Sequence, residues 1–425
     1  MFTLRSRSVR ALAAGVAAAL VLTACAGTHD GDSGSPEGTV TLRVNYWGDF
    51  GLDELVPRYT AAHPHIRIQL NAGDYSQQHE DLQKFLVAGS GAPDIAAIDE
   101  SQAVQFRNQA SKFVNLLDKG AGAYEDDYLP WNWQLLRSPE GRQVGLGTDV
   151  GGQAICYRTD LFEAAGLPTD REKVSALWPT WEAFLAAGKR YEQGSGGKKF
   201  VDGAGLFLEM VIRQQPVGYF GPDEKLAMDG GPRVGWELAT ALVAEGLSAN
   251  LQPFTPEWNA AMKNGGFAAL TCPAWMQGYI QGQAPNTKGR WDIAYPPGGG
   301  GNLGGSFWSI PAQGRHTDEA YRFVEWLIQP EQQIAIFKKV GNLPSQPALY
   351  DDPAIRDFRN PFFNDAPVGR IFPDTARKVT PQYQGRLTDQ VRTAVSNVLD
   401  QVQQGKINGP AAWEKARSEA ERAAR

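Results

Sequence analysis

Five acidic residues, Asp49, Asp74, Asp99, Glu100 and Asp149, fall where the sequence predicts loops at strand ends. Two chemistries use carboxylates placed in this way. Glycoside hydrolysis needs a pair flanking one bond, with one of them protonated at working pH. A site for a neutral, polyhydroxylated ligand needs them only as acceptors for hydroxyls, beside aromatic faces that stack on sugar rings. The chain carries 12 Trp, and they divide by setting. Trp178, Trp181, Trp326 and Trp413 lie on predicted helices or their starts and read as packing. Trp47, Trp275 and Trp308 stand near Gly or Pro at predicted strand ends and are candidates to touch a ligand. Trp258, within Pro256-Glu257-Trp258-Asn259, is a weaker one. Asp49 and Asp99 directly precede predicted helices, where a capping role would use the same carboxylate.

Other chemistries leave no complete signature. No G-x-S-x-G elbow occurs. His79-Glu80 begins a zinc-protease pattern, but Gln83 takes the second His position. His63 and His65 flank Pro64 at a predicted helix end and read as surface loop. Gly299, Gly301 and Gly304 match a dinucleotide-loop spacing, yet they follow Pro296-Pro297 rather than a strand. No metal, cofactor or catalytic residue is expected.

The elements that must position these residues alternate. Val40, Leu42 and Val44 have period 2, and Leu52, Leu55, Val56 and Tyr59 follow at helical spacing up to Pro64. Ile66, Ile68 and Leu70 restore period 2. A second helix with Leu82, Phe85 and Leu86 stops at Gly89-Ser90-Gly91, and residues 93–98 make a short buried strand. Such a β-α-β-α-β order predicts a parallel sheet, with ligands outside the carboxyl ends of its strands. Further on, residues 154–157 and 267–270 read as strands. Residues 181–191, begun by Thr180, and about 232–246 read as helices, and residues 296–305 as a Pro/Gly-rich loop crossing between domains. Terminal helices carry Val391, Val395, Val398 and Leu399.

Composition narrows the class. With 42% hydrophobic and 21% charged residues, the 425-residue chain reads as globular, and its length calls for more than one core. The net charge of −6, with no basic block, argues against nucleic acid as a partner. Arg5, Arg7 and Arg10 precede an apolar run over residues 11–22 that is short for a membrane span. It ends in Leu22-Thr23-Ala24-Cys25, which resembles the lipobox of a bacterial lipoprotein. Cleavage would leave 401 residues with a net charge of −9, lipid-anchored through Cys25 on the outer face of the cell membrane. Residues 25–38 would form a flexible tether. Two cysteines remain, Cys156 and Cys272, and an extracytoplasmic compartment favours a disulfide between them.

Several stretches then fall into a familiar order. They are the Trp47–Gly51 turn with its helix to His63-Pro64, Val87 to Ile95 with Gly89-Ser90-Gly91-Ala92-Pro93-Asp94, and Ile155-Cys156-Tyr157-Arg158-Thr159-Asp160-Leu161-Phe162-Glu163-Ala164-Ala165-Gly166-Leu167-Pro168. Pro179-Thr180-Trp181, Phe267 to Leu270 with Trp275, and Gly304-Gly305-Ser306 complete the set. Over essentially the whole mature chain this order resembles the family 1 extracellular solute-binding proteins of ABC sugar importers. Gly147-Thr148-Asp149, Cys272 to Met276, Gly305-Ser306-Phe307 and Phe362 to Pro367 are most similar to the cello-oligosaccharide-binding branch.

The resemblance implies an α/β, periplasmic-binding-protein-like fold: two α/β lobes with a ligand cleft and hinge crossovers. It implies an N-lobe of residues 39–147 and 302–344, and a C-lobe of 148–301 and 345–425 with the terminal helices, after a signal peptide (1–24) and the tether. It also implies a monomer that captures a β-linked disaccharide or short oligosaccharide such as cellobiose for the transmembrane subunits of an ABC permease. Ser306, Phe363 and Asn364 join Trp47, Asp49, Asp99, Glu100, Asp149, Trp258, Trp275 and Trp308 as expected ligand contacts, and the Cys156–Cys272 pairing is reinforced. An extracytoplasmic glycoside hydrolase and a binding protein for a non-sugar solute such as a peptide are the alternatives.

Overall fold

Period-2 patterning produces the first two strands, β1 (Val40–Trp47) and β2 (Ile66–Gly73), paired in parallel from Val40 opposite Ile66 to Trp47 opposite Gly73. The computed structural model describes residues 38–425. The leader, Cys25 and the tether up to residue 37 lie outside the described residues. Helix Leu52–Ala62 buries Leu52, Leu55 and Tyr59 between these strands. Asp74 caps helix Tyr75–Ala88 by accepting from the Ser76 and Gln77 amides, and Gly89 ends it at φ 73°, where a side chain would be strained. The strand β3 (Ile95–Asp99) then joins β1 in parallel.

The expected parallel pairing holds for β2-β1-β3 and, further along the chain, for Lys199–Val201 with Phe267–Pro273, but not for the rest of the sheet. The remaining strands are β4 (Gly145–Arg158), β5 (Lys199–Val201), β6 (Phe267–Pro273), β7 (Trp291–Ala294), β8 (Asn302–Ser309) and β9 (Leu343–Pro344). The order is β2-β1-β3-β8-β4-β6-β5, with β7 and β9 also on β4, and β8 runs antiparallel to both β3 and β4. Residues 302–305 are therefore strand, not crossing loop.

One strand, β4, links the two lobes. Its first half pairs with β8 and β9, and from Gln153 onward it pairs with β6 and β7. Every residue of its 14 is buried, so no polar-apolar alternation marks it in the sequence. The register slips beside Gly151, where a Cβ would stand 1.8 Å from the Leu303 carbonyl oxygen. Glycine is what allows the two backbones to approach there.

Core packing follows this division. Leu42, Val44, Tyr59 and Trp308 share one cluster, and Leu86, Phe106 and Phe307 another on the opposite sheet face. Two further clusters gather along the second half of β4. One holds Phe162, Trp178, Phe207, Trp236 and Trp413 with the helices Thr388–Gln403 and Gly409–Ala423. The other holds Cys156, Trp258, Cys272, Trp291 and Phe363. Each large side chain so buried contributes roughly 1.5–3 kcal/mol. Cys156 and Cys272 form a disulfide across β4 and β6, with Cα atoms 5.4 Å apart. No helix among the described residues is long and apolar enough to cross a membrane.

Candidate functional site

Three neighbouring strands bring acids from distant parts of the chain together, because Ser306 of β8 pairs with Asp99 of β3 on one side and Asp149 of β4 on the other. Asp149 is buried, and its Oδ1 accepts from the Thr148 hydroxyl at 2.6 Å. Desolvation pushes its carboxyl up to about 7, with the field of Asp99 adding to the rise. Asp99 caps a 3-10 turn, Glu100–Gln102, accepting from the Ser101 amide and hydroxyl and from the Tyr75 hydroxyl. The Asp99 amide donates to His79 Nε2 at 3.1 Å, so the buried imidazole is neutral and its Nδ1–H donates to the Tyr75 carbonyl. Burial holds His79 below the usual imidazole range.

From that turn Glu100 reaches the other lobe. Its Oε1 accepts from Arg213 Nη1 at 2.8 Å, and both side chains are more than nine-tenths buried. Arg213 ends the helix Gly205–Ile212, one turn beyond Glu209. Gln102 donates to Asp389 Oδ2 at 2.7 Å, and Asp389 pairs with Arg392, both from the first turns of helix Thr388–Gln403. A cavity of about 40 Å³ opens here, lined by Glu100, Arg213, Trp131, Asn302, Gln382 and Gln384 among others. Glu100 Oε2, Glu209 Oε2, Thr388 Oγ1 and Arg392 Nε are buried without a partner. Orphaned polar atoms are rare in folded proteins, because each costs about 1–3 kcal/mol.

This arrangement places hydrogen-bond donors and acceptors together beside an indole, and the family of the chain bears on what they serve. A model described as bacterial extracellular solute-binding protein matches residues 51–334, more than half of the chain. The chain belongs to that family. A crystal structure titled extracellular solute-binding protein family 1 is 36% identical to this solute-binding protein, with a TM-score of 0.80, and covers 91% of it and 100% of that chain. The arabinooligosaccharide-binding protein of Bacillus subtilis (strain 168) is 27% identical over 334 residues, 72% of each chain. The sn-glycerol-3-phosphate-binding periplasmic protein of Brucella abortus (strain 2308) is 24% identical over 335 residues, again 72% of each.

The other expected contacts are scattered within the solute-binding protein. Trp47 and Trp275 are half-buried at strand ends. Trp47 packs edge-on to Tyr75 at 5.4 Å, and Trp275 Nε1 donates to the Leu303 carbonyl, next to Asn302 of the cavity. Asp49 is exposed and closes a turn by accepting from the Gly51 amide. Three tryptophan and phenylalanine expectations need correction. Trp308 is core: β8 is covered on both faces, so Trp308 and Phe307 are both buried, one on each side. Trp258 is fully buried on helix Pro256–Asn264, its Nε1 donating to Asp202. Phe363 is fully buried in the cluster around Trp291. Asn364 is exposed, with its carbonyl accepting from Arg171, and it neither lines the cavity nor bonds to a residue that does.

Trp131, Arg213, Glu209, Asp389 and Arg392 were not among the expected residues. Trp131 follows Pro130 at the start of helix Pro130–Leu135, away from any predicted strand end, so the criterion that singled out Trp47 passed over it. Glu209 stands alone as a charge within the otherwise apolar helix Gly205–Ile212, just before Arg213, which was a readable signal.

The raised carboxyl of Asp149 makes a pH prediction. A proton bound more tightly in the folded than in the unfolded chain favours folding below about pH 4, and that contribution is lost as pH rises through about 7. In Asp149→Asn the group no longer titrates, while the amide oxygen still accepts from Thr148. Melting from pH 5 to 8 should show the variant gaining on wild type by about 2–3 kcal/mol over that range. Parallel curves would overturn the assignment.

Proposed function

We propose that this protein captures a saccharide in the cleft between its lobes and hands it to the membrane subunits of an ABC importer. A β-linked disaccharide or short oligosaccharide such as cellobiose is the preferred ligand. The observation that carries this reading is the convergence on one cavity of a carboxylate, a guanidinium and three amides (Glu100, Arg213, Asn302, Gln382 and Gln384) beside the indole of Trp131. Hydroxyl-rich ligands need such a mixture of donors and acceptors next to a flat apolar face. The name of the Bacillus relative supports the class of ligand, and the preference for β-linked glucose rests on the resemblance of the sequence motifs.

About 40 Å³ is room for little more than a single water, so a sugar ring enters only when the lobes part. We take residues 39–147 and 302–344 as one moving body and 148–301 and 345–425 as the other. Ligand favours the closed form only by its greater affinity for that form. The protein acts outside the cytoplasm as a monomer, tethered through lipid on Cys25, with no catalysis. Asp149, its carboxyl raised to about 7 and set across β8 from Asp99, favours a glycoside hydrolase as the second reading.

A thermal-shift screen against mono- to tetrasaccharides tests the proposal, because a ligand at 100 times its Kd stabilises by about 2.7 kcal/mol. We expect cellobiose or a related oligosaccharide to raise the melting temperature and to be recovered with its mass unchanged. No shift with any saccharide would overturn the reading, and hydrolysed product after overnight incubation would establish the hydrolase.

A further inference from the structure

His79 does not line the cavity, yet it closes a ring of hydrogen bonds behind it. The side chain is buried on helix Tyr75–Ala88. Its Nδ1–H donates to the Tyr75 carbonyl at 2.8 Å, the Tyr75 hydroxyl donates to Asp99 Oδ1 at 3.2 Å, and the Asp99 amide returns to His79 Nε2 at 3.1 Å. The residue after Asp99 is Glu100, which lines the cavity and meets Arg213 of the other lobe, and Gln102 of the same turn meets Asp389. The imidazole also lies against Trp47 at the end of β1, with ring centroids 4.6 Å apart. One side chain thus ties the ends of β1 and β3 to a helix and fixes the backbone from which Glu100 departs.

Only one protonation state fits this place. Nε2 must accept, and an imidazolium would turn a second N–H against the Asp99 amide, two donors face to face. The groups available to hold a cation are Asp99 from β3, Tyr75 from its own helix and Asp389 from helix Thr388–Gln403, and Asp389 is already paired with Arg392. From β1 and from helix Ala103–Arg107 it meets the rings of Trp47 and Phe106. Burial outweighs the nearby acids, so the imidazole gains its proton only below its usual range.

We propose that His79 is a positioning residue for saccharide binding: neutral, it sets the Asp99–Gln102 turn so that Glu100 meets Arg213 at the cavity, and protonated, it lets that turn go and releases the ligand. The inference rests on the saccharide-binding reading. With the lobes apart, the turn has no contact with Arg213 or Asp389 and can shift to accommodate an imidazolium. Closed lobes hold it in the form that only neutral imidazole fits. A proton that binds the open form more tightly weakens the ligand, and the ligand weakens the proton by the same factor.

Calorimetric titration of the full chain with cellobiose and arabinobiose between about pH 7.5 and 5 tests it. His79→Leu leaves the Asp99 amide without an acceptor and should weaken binding at least about tenfold at the upper pH. His79→Gln supplies an acceptor that does not titrate and should recover at least about threefold of that loss. Glu100 and Asp149 titrate in wild type and variant alike, so the part due to His79 is the difference between their profiles. Over this range wild type should lose about fivefold more affinity than His79→Gln, and it alone should release protons on binding, seen as a heat that depends on the buffer's ionisation enthalpy. Parallel profiles overturn the positioning role and leave the saccharide reading intact. If neither variant folds, NMR of wild type decides: the His79 imidazole should have a pKa lower by about 0.7 in the saturated protein than in the free one, and an unmoved value overturns the proposal. Binding of neither saccharide at any pH overturns the saccharide reading, and the positioning role falls with it.

Discussion

Arg213→Met should weaken saccharide binding by about 100-fold or more, and Glu100→Gln added to it should recover most of the loss. In the intact protein the guanidinium and the carboxylate meet at 2.8 Å, with side chains 8% and 6% exposed. Removing one partner of a buried ion pair leaves an uncompensated charge, at a cost of about 3–5 kcal/mol, and each 1.4 kcal/mol is tenfold in affinity. Two neutral side chains in the same place carry no such penalty. The cost falls on closure and not on folding, because Glu100 follows β3 of one lobe and Arg213 ends a helix of the other. Once the lobes part, water solvates both. The melting temperature of the unliganded variant should therefore change by less than about 2 °C. Burial already raises the Glu100 carboxyl, and Arg213 opposes the rise. Without Arg213 the carboxyl rises further, so the variant should regain affinity as pH is lowered toward 5, when Glu100 takes up a proton. Isothermal titration at pH 5 and 8 for wild type, both single variants and the double variant checks this. A double variant as weak as Arg213→Met, or a melting temperature that falls in step with the affinity, would sink the idea that the pair is a closure contact.

What was legible in the sequence follows from which surfaces are half-buried. β1, β2 and their helices face water on one side, so Val40, Leu42, Val44 and Leu52, Leu55, Tyr59 print a period that names the element. The strand β4 is buried throughout, and its glycines blur it further, so a lobe-joining strand of 14 residues read as a Gly-rich stretch followed by a short strand. The same effect misplaced Trp308: a Trp near glycines at a strand end looks available, but β8 has a core on either face. Asp99 and Glu100 were singled out from the end of β3, where an α/β sheet gathers ligand-facing residues, whereas Asp149, expected in a loop at a strand end, stands inside β4. Arg213 was missed because its partner lies 113 residues away, and nothing local announces a contact that forms between lobes. The cysteines were readable by elimination, once the leader claimed Cys25 and left two.

That remaining pair carries the second large effect. Replacing both Cys156 and Cys272 with alanine should lower stability by about 4–5 kcal/mol, through the entropy the bridge removes from the unfolded chain. The bridge closes a segment of 116 residues, and the chain-entropy estimate grows with the logarithm of that length. Alanine is chosen over serine because both sulfurs are fully buried, and a hydroxyl there would add an unpaired polar group. With an unfolding entropy of about 0.8 kcal/mol/K expected for a chain of this size, the loss reads as a fall of about 5 °C in melting temperature. The native ladder itself needs no bridge to hold register: Ala154 still pairs with Cys272's position, and Cys156's with Leu270, through backbone bonds. Saccharide affinity at 25 °C should therefore stay within threefold of wild type, since neither cysteine lines the cavity and the lobe that carries both remains folded. Hydrogen exchange should locate the loosening in β6, β7 and the second half of β4, with β1 to β3 protected as before. A melting temperature within 1 °C of wild type would show that the unfolded chain is already too compact for the bridge to restrict, and a lost affinity would show that the disulfide shapes the cleft as well as stabilising one lobe.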